Sequence, residues 1–202
     1  DYALARGLPS VTIVHKGNIM KFTEGAFRRW AYDLYLDEYR AQVVTEEELG
    51  RGEGARGRVV VKDRIADAMF HDLTVCPEEY DVLVTPNLNG DYLSDAAAGL
   101  IGGLGVAPGA NLGDGIGLFE AVHGTAPALA GQDKANPASL ILSGCMMLEY
   151  LGWDEAAAKV RKAFSQTIGK GDVTVDLAAQ LEGSVELSCS AFADAVIERI
   201  VS

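Results

Sequence analysis

Residues 80–95 read YDVLVTPNLNGDYLSD and contain the pattern that decides the fold. Tyr80–Thr85 has the character of a strand, a turn containing Gly90 follows, and a helix then begins. Because Asp91 and Asp95 are four positions apart, both carboxylates lie on one face of that helix. A hard divalent cation such as Mg²⁺ or Mn²⁺ would turn this repelling pair into a metal site. The helix dipole alone also favours Asp in a first turn, so the segment by itself leaves both interpretations open.

Strands and helices alternate along the rest of the chain, which predicts an α/β architecture. The charged, Gly-rich segment 46–58 is expected to be a loop, and dense glycine in 99–117 marks a domain crossover near residue 102. The helix at 139–151 is apolar nearly all round and is expected to be buried. Periodicity and candidate caps at Thr23, Asn136 and Asp154 predict strands at 10–14, 59–61 and 117–121, and helices at 23–39, 65–73, 139–151, 154–168 and around Phe192, Val196 and Ile200.

Composition narrows the class of protein. The 202 residues include 17 basic and 29 acidic side chains, a net charge of −12 that argues against nucleic-acid partners and anionic membrane surfaces. No apolar run is long enough to span a bilayer, and the first residues do not form a signal peptide. Cys76, Cys145 and Cys189 are widely separated, which favours reduced thiols in the cytoplasm, with Cys145 as a small core residue.

Further polar residues follow predicted strands. Lys16 comes just after the first strand, where functional groups of α/β sheets collect, and it could transfer protons. Asp67 adds a third carboxylate, and the loop 123–127, with Asn136 further on, could present backbone groups to a ligand. Each of these is also typical of an ordinary surface charge or turn. No phosphate-binding P-loop, Rossmann glycine motif or zinc-ligand spacing is present.

Four motifs together resemble the decarboxylating dehydrogenases of 2-hydroxy acids, the family that includes isocitrate and 3-isopropylmalate dehydrogenases. They are HKGNIMKFTEG at 15–25, NLNGDYLSD at 87–95, HGTAP at 123–127 and GQDK at 131–134. The first has the form shown by isocitrate dehydrogenases, whereas isopropylmalate enzymes carry another residue in place of Gly17. The resemblance covers essentially the whole chain and is greatest to bacterial homodimeric isocitrate dehydrogenases.

The resemblance implies oxidative decarboxylation of isocitrate to 2-oxoglutarate in the tricarboxylic acid cycle, by a cytoplasmic homodimer with a shared active site. It also implies a small α/β domain, residues 1–101, followed by part of a doubly wound large domain, residues 102–202. Mg²⁺ or Mn²⁺ and NAD or NADP would be the cofactors. The implied site has Asp91 and Asp95 on the metal with Asp67 from the other subunit, Lys16 reaching across the dimer to assist deprotonation of the substrate hydroxyl, Asn18 near the nicotinamide, and His123, Gly124, Thr125, Ala126, Pro127 and Asn136 around the adenosine.

The chain departs from the family in two respects. The N-terminal half, with the residues that grip the substrate carboxylates and a proton-donating Tyr, is missing, so we expect an inactive fragment whose large-domain sheet lacks strands and has an exposed edge. The positions that meet the 2′-phosphate in NADP-dependent members also lack their cations, and each lost charge-assisted hydrogen bond costs about 1.5–3 kcal/mol. These positions, which favour NAD, are Ala128, Leu129, Val175, Ala179 and Cys76.

Two alternatives stay open. A dehydrogenase for 3-isopropylmalate, homoisocitrate or tartrate would differ in the missing substrate-binding segment. A non-catalytic folded fragment or regulatory subunit would make Lys16 and Asp67 spare, and metal titration would then detect no tight site. A Mg²⁺-dependent phosphoryl-transfer protein is disfavoured, because no loop could cradle a phosphate.

Overall fold

The computed structural model describes residues 1–201, and the chain divides into two compact units. The first is Asp1–Ala97 and the second begins at Ala98, a few residues before the boundary that the sequence predicts. The α/β architecture expected from the alternation of strands and helices is confirmed. No helix among residues 1–201 combines the length and apolar character that crossing a membrane requires.

The first unit is built on a four-stranded sheet whose strands are, in spatial order, Val43–Thr45, Val59–Ile65, Ser10–His15 and Val82–Val84. All three strand pairings are parallel, so the carboxyl ends of the four strands lie at one edge of the sheet. Its elements are α1 (Tyr2–Arg6), β1 (Ser10–His15), α2 (Glu24–Leu34) continued by a π-helical turn (Tyr35–Tyr39), β2 (Val43–Thr45), α3 (Glu46–Gly50), β3 (Val59–Ile65), α4 (Ala66–Val75), a 3₁₀ turn (Pro77–Glu79), β4 (Val82–Val84) and α5 (Asn89–Leu100).

Both faces of this sheet are covered, because β1 alternates its side chains between two apolar clusters. Ile13 packs into a cluster with Tyr35 of the π-helical turn. Val14 packs on the opposite face with Met69 of α4 and Leu93 of α5. Leu93 is only 3% exposed, so this contact fixes which side of α5 faces inward.

The second unit combines a helical core with two small sheets. Phe192 of α9 is fully buried against α7, and Cys145 of α6 is 1% exposed, as expected for a core thiol. The elements are a 3₁₀ turn (Leu104–Val106), the antiparallel hairpin β5 (Pro108–Gly113) and β6 (Ile116–Ala121), a 3₁₀ turn (Pro127–Leu129), α6 (Ala138–Tyr150), α7 (Asp154–Gly169), α8 (Val175–Ala178), α9 (Cys189–Val201), and β7 (Asp172–Val173), which pairs in parallel with β8 (Val185–Glu186).

The β5–β6 hairpin has the exposed edge and apolar surface that the sequence predicts for this unit. Within residues 1–201 no third strand joins it. Ile116 and Leu118 lie on the hairpin's outer face and are 70% and 59% exposed, whereas the Phe119 ring packs at a tilt on Tyr150 of α6 on the inner face.

Several local predictions were wrong. Segment 46–58 begins with a helix, α3, because Thr45 and Glu48 form a reciprocal capping box. Thr23 stands at the N-cap position of α2 but its side chain makes no capping hydrogen bond, and Asp154 is the first residue of α7 rather than its cap. The strand β5 was missed because it lies in the Gly-rich stretch.

The helix predicted at 139–151 is present as α6, but it is not buried on all sides. Its small residues face the β5–β6 hairpin: Ser143 Oγ donates to the Glu120 carbonyl at 2.7 Å and accepts from the Gly109 N–H at 3.1 Å. Leu140 and Met147 are 60% and 41% exposed. Hydrogen bonds from small side chains and the contact between the Phe119 and Tyr150 rings therefore hold this helix against the hairpin.

Candidate active site

The lysine and one of the acids predicted for the site lie together at the carboxyl edge of the parallel sheet. His15 at the end of β1 is in register with Ile65 at the end of β3, so the residues that follow emerge side by side. Lys16 Nζ donates to Asp67 Oδ1 in an ion pair. The Lys16 ammonium, together with a backbone N–H, holds the pKa of the Asp67 carboxyl below its ordinary value.

The loop that carries Lys16 and Asn18 is anchored on a buried histidine. The Gly17 N–H donates to His15 Nδ1 at 3.0 Å. Since Nδ1 accepts, the ring proton lies on Nε2, which faces Asp63 Oδ1 at 3.3 Å. Asn18 itself is exposed, and no described contact ties its side chain down.

Asp63 anchors this histidine and in turn receives two stronger donors. Arg28 Nη2 donates to its Oδ2 at 2.8 Å and the Tyr32 hydroxyl at 2.7 Å. Burial raises the pKa of Asp63, but the hydrogen bonds from Arg28, Tyr32 and His15 outweigh burial and lower that pKa to about 2. The carboxylate therefore stays ionised and fixes the base of the loop over the whole neutral range.

Asp91 and Asp95 both lie on the solvent side of α5, because Leu93 between them points into the core. Two carboxylates one turn apart suit a hard divalent cation and leave positions open for other ligands. Among residues 1–201 no group of three or more acidic, His or Cys side chains is close enough to hold a metal ion. A single chain thus presents two of the predicted ligands together, while Asp67 is engaged by Lys16.

The predicted cofactor loop lines a cavity of about 380 Å³ in the second unit. His123, Gly124, Ala126 and Asn136 are in its wall; Thr125 and Pro127 belong to the same loop and are exposed but do not line it. The rest of the wall includes two of the positions linked to cofactor choice and a pair of charged residues: Leu104, Gly105, Leu129, Lys134, Ala135, Val175 and Asp176.

Asn136 is held rigidly in this wall. It is 8% exposed; its Nδ2 donates to Asp176 Oδ2 at 3.0 Å, and its Oδ1 accepts from the Ala138 N–H at 2.9 Å. Thr174 Oγ donates to the other Asp176 oxygen at 2.5 Å. The amide keeps one hydrogen and one lone pair for a ligand, and its orientation is set by the protein.

Asp133, in the same loop at 123–136, is hydrogen-bonded to the start of α9. Asp133 accepts from the Ser190 N–H at 2.9 Å and from the Ser190 hydroxyl at 2.5 Å, and its carbonyl accepts from the Cys189 N–H at 2.7 Å. These hydrogen bonds from Ser190 lower the pKa of the Asp133 carboxyl. The loop at 123–136 is thus fixed near its C-terminal end by both Asp133 and Asn136.

The chain matches the isocitrate/isopropylmalate dehydrogenase family over residues 1–196. It belongs to that family.

Similar isocitrate dehydrogenases extend well beyond the length of this chain. The isocitrate dehydrogenase (NADP) of Haloferax volcanii is 55% identical over 203 residues, which cover 99% of this chain and 48% of the relative. The isocitrate dehydrogenase (NADP) of Pseudomonas aeruginosa is 51% identical over 202 residues, with 99% and 48% covered. The crystal structure of isocitrate dehydrogenase from Methylococcus capsulatus superposes with a TM-score of 0.86 at 40% identity, covering 100% of this chain and 53% of that one. The chain therefore spans about half the length of these family members.

Three residues around the Lys16 loop were not singled out from the sequence. His15 and Glu24 lie inside the first motif, and Asp63 is on the neighbouring strand. A histidine ending a central strand and an acid in the first turn of a helix were the available signals. Asp63 lies 48 positions from His15, and Asn89, which contacts Glu24, lies 65 positions from it. Only the fold reveals these contacts.

Proposed function

We propose that the intact protein oxidatively decarboxylates isocitrate to 2-oxoglutarate as an enzyme of the tricarboxylic acid cycle. The observation that carries this proposal is the grouping of Lys16 and Asp67 at the carboxyl edge of the parallel sheet, with Asp91 and Asp95 on the same face of α5. Family membership and the names of the relatives support it. The three free cysteines suit a cytoplasmic location.

The residue types match the chemistry. Oxidation at C2 of isocitrate needs removal of the hydroxyl proton, and Lys16 would assist that removal. The β-keto acid that results loses CO₂ and leaves an enolate that must be protonated, and the family resemblance implies a Tyr for that role. Asp91 and Asp95 would hold Mg²⁺ or Mn²⁺, which when bound acts as a Lewis acid on the substrate oxygen, and Asn18 would orient the nicotinamide that takes up the hydride.

A homodimer with a shared active site is the second part of the proposal. Lys16 and Asp67 of one chain would serve the site of the neighbouring subunit, where Asp67 completes the metal ligands. The ion pair keeps Lys16 and Asp67 of one chain side by side, so both would reach the same neighbouring site. Mixing two full-length variants, Lys16→Met and Asp95→Asn, should restore activity, because hybrid dimers contain one intact site. No restoration would contradict sharing.

Cofactor choice is the third part, and here we infer a preference for NAD. Leu129 and Val175 make apolar wall where a 2′-phosphate would need donors, and among the described lining residues Lys134 is the single cation. The relatives are named for NADP, so kinetics of the full-length enzyme must decide. We expect kcat/KM to be higher with NAD, and the double substitution Ala128→Lys with Leu129→Tyr to shift the ratio towards NADP. A strong NADP preference of the unaltered enzyme would overturn the inference.

The activity itself is tested on the full-length protein with Mn²⁺ and each candidate substrate. Isocitrate-dependent reduction of the cofactor is expected, and faster turnover of 3-isopropylmalate, homoisocitrate or tartrate would favour the related dehydrogenases instead. The 202-residue chain alone should be inactive, since the motifs that it contains do not include the residues that the resemblance assigns to the substrate carboxylates. A full-length protein with neither turnover nor a tight Mn²⁺ site would support the non-catalytic fragment or regulatory role.

A further inference from the structure

We propose that Glu24 is a positioning residue that fastens the Lys16 loop to the first turn of α5. This inference rests on the proposed function, because it assigns a role relative to Lys16 and to the carboxylates of Asp91 and Asp95. Glu24 itself would touch neither substrate nor metal. It would act through the two segments that it joins.

The contacts converge on one carboxylate oxygen. Glu24 Oε2 accepts the backbone N–H of Lys16 and also accepts from Asn89 Nδ2 at 2.8 Å. Asn89 is the first residue of α5, two positions before Asp91. A single side chain therefore connects the loop of the proposed catalytic lysine to the start of the proposed metal-binding helix, across 65 positions of sequence.

The surroundings leave this connection little slack. Gly17, next to Lys16, lies so close to Gly25, next to Glu24, that a Cβ on Gly17 would be 2.9 Å from the Gly25 Cα. The Gly25 N–H also donates to the Met20 carbonyl at 3.0 Å, which closes the loop on its other side. Removing the carboxylate would leave the half-buried Lys16 N–H and the Asn89 amide without an acceptor.

The proposed dimer gives the connection a wider meaning. Lys16 would serve the neighbouring site, whereas Asp91 and Asp95 would bind the metal of their own chain. Glu24 thus fastens together what one chain contributes to two different sites. Displacements of about 1 Å can lower turnover by about 100-fold, so a loss of this connection should be measurable at both.

The test uses the full-length enzyme with Glu24→Ala, Glu24→Gln, Asn89→Ala and the double variant Glu24→Ala/Asn89→Ala. Readouts are kcat, KM for isocitrate, the dissociation constant of Mn²⁺ by titration calorimetry without substrate, and thermal unfolding. The control is Glu155→Ala, which removes an exposed acid from the first turn of α7 and so matches the loss of a helix-dipole interaction.

We expect Glu24→Ala to lower kcat by about 10- to 100-fold and to weaken Mn²⁺ binding, with KM for isocitrate changed much less. Glu24→Gln, which keeps an acceptor oxygen, should recover most of the loss. The double variant should bind Mn²⁺ no more weakly than the worse single variant, because both substitutions break the same connection. Glu155→Ala should behave as the unaltered enzyme.

Unchanged kcat and Mn²⁺ affinity in folded Glu24→Ala would overturn the proposal, and so would strictly additive effects of the two single substitutions on Mn²⁺ binding. If Glu24→Ala does not fold, Glu24→Gln and Asn89→Ala are compared by the same readouts. Asn89→Ala should then lower kcat and weaken Mn²⁺ binding more than Glu24→Gln does, and equal values for the two variants would overturn the proposal. If the variants show this coupling in Mn²⁺ binding while the unaltered enzyme does not oxidise isocitrate, the proposed function is refuted and the positioning role stands.

Discussion

Replacing Asp63 by Asn should destabilise the first unit by about 2 kcal/mol at neutral pH. The Asp63 side chain is 24% exposed and accepts hydrogen bonds from Arg28, Tyr32 and His15. Burial opposes its ionisation, yet these donors lower its pKa from 3.8 to about 2. At about 1.4 kcal/mol for each pKa unit, that difference corresponds to roughly 2 kcal/mol of folding free energy.

The sign of the pH dependence follows from the lowered pKa. Because the folded-state pKa lies below that of the unfolded chain, the carboxylate contributes fully above about pH 4, and the contribution is lost as the pH falls towards 2. The stability gap between the unaltered chain and Asp63→Asn should therefore be largest at neutral pH and should close in acid.

Urea unfolding, monitored through hydrogen exchange of the β1 and β3 amides, measures the difference in stability between the unaltered chain and Asp63→Asn in the first unit. With a slope of about 2 kcal/mol per molar urea, the midpoint should fall by about 1 M. Asp37→Asn, an exposed carboxylate in the π-helical turn, is the matched control and should stay within about 0.5 kcal/mol of the unaltered chain. Equal midpoints at pH 7, or a gap that persists down to pH 2, would refute the reasoning.

Three further predictions concern single positions. Gly17→Ala should destabilise the first unit by about 1–3 kcal/mol in thermal unfolding, because its Cβ would meet the Gly25 backbone; Gly144→Ala, with open space in α6, should be neutral or slightly stabilising, and equal effects would contradict the packing argument. Thr45→Ala should cost about 1 kcal/mol in urea unfolding, since it removes the capping box of α3. Asp133→Ala in the full-length enzyme should raise the KM for the cofactor several-fold without lowering kcat, because the cofactor loop loses its attachment to α9; an unchanged KM would show that the attachment is dispensable.

Sequence patterns predicted those elements whose signal is local. The strand β1 and the helices α4 and α9 carry apolar patterns and lie where those patterns predict, and α5 begins at the turn after β4 as expected. The helix α3 was missed because charge and glycine outweighed its cap, although Thr45 and Glu48 stand at the spacing of a capping box. A Gly-rich strand such as β5 carries too little β-propensity to be recognised alone.

The candidate site shows the same division. Parallel strands bring their carboxyl ends together, so the neighbourhood of Lys16 and Asp67 follows from the order of elements. The partners of Glu24 and Asn136 do not, because Asn89 and Asp176 lie 65 and 40 positions away and are brought near only by packing. The residues proposed for the chemistry were thus named from motifs, whereas the contacts that hold Lys16 and Asn136 in place required the fold.

The exposed edge of the β5–β6 hairpin, which no third strand joins within residues 1–201, affects how this polypeptide behaves in solution. An edge strand beside the outward-facing Ile116 and Leu118 is a surface on which a complementary strand can pair. Expressed by itself at high concentration, the chain should self-associate through this edge.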